Sequence, residues 1–162
     1  MIEWSLDIRV KTDLQFWKIY LDTCCLSRLF DPPIQDRIIQ EAETIRRILA
    51  YFSRRDWSWI ASDALLNEVN RTPDLEERSQ IRTWLTLAHQ TIRIGESEVS
   101  RGLQLETLGI QKLDALHIAC AESGEADLFL TTDDRLLRRA QRYHTRLYIR
   151  VENPTTWLQE VS

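Results

Sequence analysis

The chain has 162 residues, 43% of them apolar and 28% charged, and carries a formal net charge of −4 at neutral pH. That length suits one domain able to bury about two-thirds of its unfolded surface, and the composition is that of an ordinary soluble protein, not a disordered or fibrous one. No apolar run approaches the roughly 20 residues that span a bilayer, and the acidic balance gives no support to bulk electrostatic capture of nucleic acid.

Residues 1–17, MIEWSLDIRVKTDLQFW, contain acids and no continuous apolar core, so they are not a signal peptide. A cytoplasmic protein is expected. Trp4, Phe16 and Trp17 are available to pack on the domain or on a partner. KIYL (18–21) reads as a short buried strand that stops on Asp22, an acid that either caps the next element or belongs to a site. After the small residues Thr23, Cys24 and Cys25 comes a short amphipathic stretch through Leu26, Leu29 and Phe30.

Residues 34–55 have Ile38, Ile39, Ala42, Ile45, Ile48, Leu49 and Phe52 at helical steps behind two prolines. A strand is predicted at 56–62, then a helix at 62–74 capped by Ser62 or Asp63 and stopped at Pro73. A helix over 75–90 leads to a strand at 91–95. Helices follow at 97–109 and 112–124, stopped by Gly109 and Gly124. ADLFLT (126–131) is a buried strand, 132–143 a helix, 146–151 a strand, and 153–161 a closing helix with Asn153 as cap and Pro154 at its first position. Short apolar strands alternating with helices predict a three-layer α/β/α sandwich around a parallel sheet of about five strands. In such sheets ligands bind just beyond the carboxyl ends of the strands.

Four acids fall at such places: Asp22 after the first strand, Glu68 on the helix after the second, Asp114 in the first turn of KLDALHIACA, and Asp133 beyond DLFLT. Each has a simpler reading. Asp133 or Asp134 can cap the helix DRLLRRAQRY; Asp114 can be a first-turn acid favoured by the helix dipole; Glu68 can pair with Arg71. Together they read better as a site, because clustered carboxylates must protonate or acquire a cation. Hard oxygen ligands select Mg²⁺ or Mn²⁺, ions that suit in-line phosphoryl displacement.

His117, one turn after Asp114, is read as a histidine hydrogen-bonded within the helix packing, although it can face the site. Cys24, Cys25 and Cys120 are odd in number, lack a C-x-x-C spacing, and are read as core residues. The six tryptophans are read mostly as core. Of 21 basic residues only Lys11, Lys18 and Lys112 are lysines. The arginine-rich stretch 135–146 is read as a solvated helix face, with phosphate binding as the sharper alternative.

The ordered set YLDTCCLSRLF, LLNEV, KLDALHIACA and LFLTTDDRLL resembles the motifs of PIN-domain nucleases, including VapC-type toxin ribonucleases, over about residues 18–160. YIRVENPTTWL is similar to the family's last strand, proline and helix. The resemblance implies a divalent-metal-dependent ribonuclease using Mg²⁺ or Mn²⁺, with RNA as substrate, an antitoxin as partner and often a homodimer. It implies Asp22, Glu68, Asp114 and Asp133 as the catalytic and metal-binding acids. It favours Asp133 over Asp134, which is assigned to capping, and implies that Thr131 or Thr132 bonds a site carboxylate. Residues 1–17 look like an extension to a domain over 18–162. Cys24 departs from the small polar residue common in the family.

A catalytically silent PIN-like module that binds RNA or protein is the main competing reading; retention of all four acids counts against it. A receiver or haloacid-type phosphatase is a poor third, because Asp22-Thr23-Cys24 supplies neither an acid pair nor D-x-D.

Overall fold

The structure, a computed structural model, describes residues 15–162. Trp4 and the remainder of 1–14 lie outside the described residues. Phe16 is exposed, while Trp17 packs edge-on against Trp157 with ring centroids 5.4 Å apart.

Among the described residues five strands form the sheet: β1 (Lys18–Leu21), β2 (Ser58–Ser62), β3 (Gln90–Ile92), β4 (Leu128–Leu130) and β5 (Arg150–Glu152). All pairings are parallel, in the order β3-β2-β1-β4-β5, so β1 is central. The α-helices among the described residues are α1 (Thr23–Ser27), α2 (Asp36–Ser53), α3 (Asp63–Asn70), α4 (Leu75–Leu85), α5 (Glu96–Glu106), α6 (Lys112–Ser123), α7 (Asp134–Arg142) and α8 (Pro154–Val161).

Successive strand side chains point to opposite faces, and β1 uses both. Ile19 and Leu21 join Trp59, Ala61, Leu128 and Leu130 in one apolar cluster, which α2 covers with Ile45, Ile48 and Phe52 and α8 with Trp157. Tyr20 faces the other way with Ile60 and Phe129, under Ala115, Ile118 and Ala119 of α6 and Leu136 of α7. The Tyr20 and Phe129 rings stack at 5.3 Å. Burial on both faces explains why these strands are continuous apolar runs, and each fully buried aliphatic side chain contributes about 1.5–3 kcal/mol relative to an exposed one.

Element order agrees with the sequence reading, and the differences sit at boundaries. Helix α4 stops at Leu85, where the Thr86 hydroxyl donates to the Thr83 carbonyl at 2.6 Å and the His89 N–H is drawn to the Trp59 carbonyl. The last strand begins at Arg150, not 146. Leu147 and Ile149 are buried and Tyr148 is exposed, so the alternation is in phase, but β4 offers only Leu128–Leu130 for pairing. Gly109 lies beyond the end of α5 with φ +86°, a left-handed value suited to glycine. Gly124 ends α6 for a different reason: a Cβ there would stand 2.8 Å from Ile60 Cγ2.

Candidate functional site

Because every strand of the sheet runs the same way, the residues that follow β1 and β4 emerge side by side. The Asp22 N–H donates to the Leu130 carbonyl at 2.9 Å, extending the β1–β4 ladder by one residue and fixing the acid at the sheet edge. Asp22 is buried, 6% exposed, yet every donor it meets is neutral. Oδ1 accepts from the Thr23 N–H at 2.8 Å. Oδ2 accepts from the Thr131 hydroxyl at 2.8 Å and the Cys24 thiol at 3.4 Å. Burial raises the Asp22 carboxyl above its ordinary range; His117 and the Thr131 bond partly offset this, and the Glu68 charge adds to it.

Glu68 reaches the same place from α3, whose N-cap Ser62 accepts from the Leu65 N–H. Its Oε1 accepts from the Thr23 hydroxyl at 2.6 Å and lies 2.8 Å from His117 Nε2. Burial pushes Glu68 up, but the bonds to His117 and Thr23 outweigh it and hold the carboxyl below its usual range. One ligand atom each from Asp22, Glu68 and His117 lie within 4.8 Å of one another.

Asp114 and Asp133 do not join a group that tight. Asp114, in the first turn of α6, is half-buried. Its carboxyl is pushed up to about 6 by burial, then by the charges of Asp22 and Asp133, with Glu68 adding a smaller push. Asp133 is exposed at the rim. The acids thus grade from a buried floor at Asp22 to an open edge at Asp133, and among the described residues no Lys or Arg side-chain nitrogen pairs with Asp22, Asp114 or Asp133. The carboxylates of Asp22 and Glu68, with Asp114 and Asp133 beside them, are oxygen donors that fit a hard divalent cation.

One assignment is corrected. The cap of α7 is Asp133, whose Oδ1 accepts from the Arg135 and Leu136 N–H groups, and not Asp134. Asp134 instead accepts both terminal guanidinium nitrogens of Arg37, at 2.7 and 2.8 Å. Capping occupies only one oxygen of Asp133. The expected threonine is Thr131, and its hydroxyl also accepts from the Asp133 N–H at 3.1 Å, so one residue orients both acids.

Two participants, Thr23 and Cys24, are not among the residues that the sequence places at the site, and His117 stands there only as an alternative. Thr23 reads in the sequence only as a small residue, although a hydroxyl directly after a strand-ending acid is a signal. Cys24, read as core, is half-buried and bonds Asp22 and Thr131; Cys25 and Cys120 are buried as expected. His117 is fully buried, as its packing role required, and touches Glu68 as well. Glu68 has no ion pair with Arg71 within 4 Å; the Arg71 N–H instead donates to the Glu68 carbonyl. A groove of about 1210 Å³ lined by Leu137, Tyr148 and Asn153 runs beside β5 and contains none of the four acids.

A family model described as PIN domain matches residues 19–142. No curated protein matches the chain in sequence. Among solved structures, FitAcB from Neisseria gonorrhoeae is similar at 18% identity and a TM-score of 0.54, over 84% of this chain and 97% of that one. VapBC2 from Rickettsia felis, bound to a DNA fragment from its promoter, is similar at 16% identity and 0.56, over 84% and 98%. VapBC-1 from nontypeable Haemophilus influenzae is similar at 14% and 0.51, over 85% and 98%. These likenesses are likenesses of fold.

Proposed function

The chain belongs to the PIN-domain family, and from that premise we propose that it is a divalent-metal-dependent endoribonuclease that hydrolyses RNA phosphodiester bonds in the cytoplasm, as the toxin of a toxin–antitoxin pair. The observation that carries this reading is the uncompensated acid cluster: Asp22 is buried among neutral donors, and Asp114 is raised to about 6 by burial and by Asp22 and Asp133. A structural carboxylate is normally matched by a cation or by enough donors to remain ionised; this cluster is instead poised to receive positive charge.

Asp22, Asp114 and Asp133 would hold Mg²⁺ or Mn²⁺, with Glu68 completing the site. When bound, the metal would polarise an attacking water and neutralise charge on the phosphate. The chain's own residues orient the rest. Thr131 fixes Asp22 and Asp133 relative to each other, and Thr23 fixes Glu68. Glu68 Oε2 accepts no bond from the described residues and is free to orient a water. Arg135 and Arg138, exposed on α7 just past Asp133, and Arg71 would hold the RNA backbone.

The partner is assigned on two grounds: the VapC-type motif resemblance, and the fold likeness to FitAcB and to the VapBC structures. It would be a small protein whose segment covers the acids. A homodimer accords with the same resemblance.

Calorimetric Mn²⁺ titration of the wild type and of Asp114→Asn tests the site directly. The wild type is expected to bind and the variant to bind much more weakly; cleavage of RNA in Mg²⁺ should then be lost in Asp22→Asn. If neither protein binds at millimolar Mn²⁺ with both folded, the acids do not form this site and the silent-module reading takes over.

A further inference from the structure

Glu68 is tied to a buried chain of side chains that leads away from the acids. His117 Nε2 lies 2.8 Å from Glu68 Oε1, and His117 Nδ1 lies 2.6 Å from the Tyr20 hydroxyl. That hydroxyl lies 2.6 Å from Ser62 Oγ, which accepts from the Leu65 N–H at the start of α3. Ser62, Tyr20 and His117 are each 0% exposed. Three elements contribute: β1 gives Tyr20, the end of β2 gives Ser62, and α6 gives His117.

Two roles are open to an imidazole so placed beside two carboxylates. It can lend a nitrogen lone pair to a cation, or it can donate a hydrogen bond to a carboxylate that does so. The hydrogen count separates them. A carboxylate only accepts, so a nitrogen 2.8 Å from Oε1 must carry the hydrogen; a bare Nε2 would set lone pair against lone pair. If the ring is neutral, Nδ1 is then the acceptor, the Tyr20 phenol donates to it, and Ser62 donates to the phenol oxygen. If the ring is charged, both nitrogens donate, and the phenol turns its hydrogen to Ser62. Both arrangements satisfy the buried groups, and in both Nε2 is an N–H.

We propose that His117 is a positioning residue for Glu68 and not a metal ligand: Tyr20 fixes the ring through Nδ1, and Nε2–H, together with the Thr23 hydroxyl, pins Oε1 so that Oε2 faces the site. The inference rests on the assignment of Glu68 to the nuclease centre. It adds a support that runs through the sheet to the N-cap of the helix carrying Glu68. Both ends of Glu68's placement, its helix and its carboxylate, are thereby tied to Tyr20.

The deciding measurement is the ¹⁵N resonance pattern of the His117 ring in the full chain, metal-free and in excess Mg²⁺. The expected pattern has a protonated Nε2 in both conditions. A bare Nε2, with or without Mg²⁺, overturns the proposal. Mn²⁺ titration of two variants supplies an independent reading. His117→Gln keeps an N–H near the position of Nε2 and should retain affinity within about threefold, whereas His117→Leu should bind about ten- to a hundredfold more weakly. Equal affinity in wild type and the Leu variant would reduce His117 to packing and also overturn the proposal. If the Leu variant does not fold, the ring spectrum still decides. If the wild type binds no Mn²⁺, the nuclease reading falls, while the protonation of Nε2 is read from the metal-free spectrum.

Discussion

Two buried carboxylates, Glu41 and Asp22, are 2% and 6% exposed and live under opposite rules. Glu41 on α2 is matched by cations: Arg37 Nε donates to Oε2 at 3.1 Å, and Arg28 Nε lies 2.9 Å from Oε1, a charge contact too poorly angled to be a hydrogen bond. Asn153, the cap of α8, adds an amide donor at 2.7 Å. Arg37 in turn grips Asp134 and the Thr132 carbonyl. Glu41 is therefore a joint among α2, α8 and the β4–α7 turn. Asp22 meets hydroxyl, thiol and amide donors only, with other acids around it. A buried charge that is already answered holds the fold together; one left unanswered is available for chemistry.

The sharpest way to break this contrast is to delete each acid. Glu41→Ala removes the buried anion that Arg28 and Arg37 share and should cost about 3 kcal/mol in urea unfolding, the low end for a broken buried pair because the two guanidinium groups keep Asp31 and Asp134 as partners. Asp22→Asn should stay within about 1 kcal/mol of wild type, since it loses one side of a repulsion and keeps hydrogen-bonding capacity. Reversed magnitudes would show that the two acids have been assigned the wrong way round.

Metal gives the next largest effect. At a hundred times its dissociation constant, Mn²⁺ should stabilise the wild type by about 2.7 kcal/mol. The gain should persist in Glu41→Ala and vanish in Asp22→Asn, as read from urea midpoints with and without the ion.

pH sharpens the comparison within the site. The Asp114 carboxyl sits at about 6 in the folded chain, against about 3.9 unfolded, so the folded state binds the proton more tightly. That stability is fully present below about pH 4 and is lost as pH rises through 6. Asp114→Asn should therefore match the wild type more closely at pH 4 than at pH 7, where it should be the more stable of the two in the absence of metal. A wild-type advantage that grew with pH would contradict the repulsive cluster. The smallest effect belongs to Cys24→Ser, which keeps a donor beside Asp22 and should leave Mn²⁺ affinity within about twofold, because a thiol is a poor ligand for hard cations.

The strands and helices were legible because their signals are local: apolar runs such as KIYL and LFLT, helical spacing in residues 38–52, and the Asn153-Pro154 start of α8. The four acids could be placed at strand ends for the same reason. What two adjacent acids do could not be read, because Asp133 and Asp134 differ only in which falls at the cap and which meets Arg37, a residue 97 positions away. His117 was ambiguous in the same way. A histidine buried in packing and a histidine holding a carboxylate look identical until Tyr20 and Glu68 are brought to its two nitrogens.

The central position of β1 has a consequence for biosynthesis. The first strand among the described residues is flanked by β2 and β4, and its pairing with β4 joins Leu21 to Leu130. Asp22 gains the Thr131 hydroxyl only when residues 109 positions downstream have been synthesised. On a ribosome Asp22 is thus made long before the group can assemble, which waits for Thr131 and Asp133. Contacts of such long sequence separation form late and slowly. Products that end before β4 would leave one edge of the central strand unpaired and lack the site, so the fold itself limits the acid centre to chains that reach past β4.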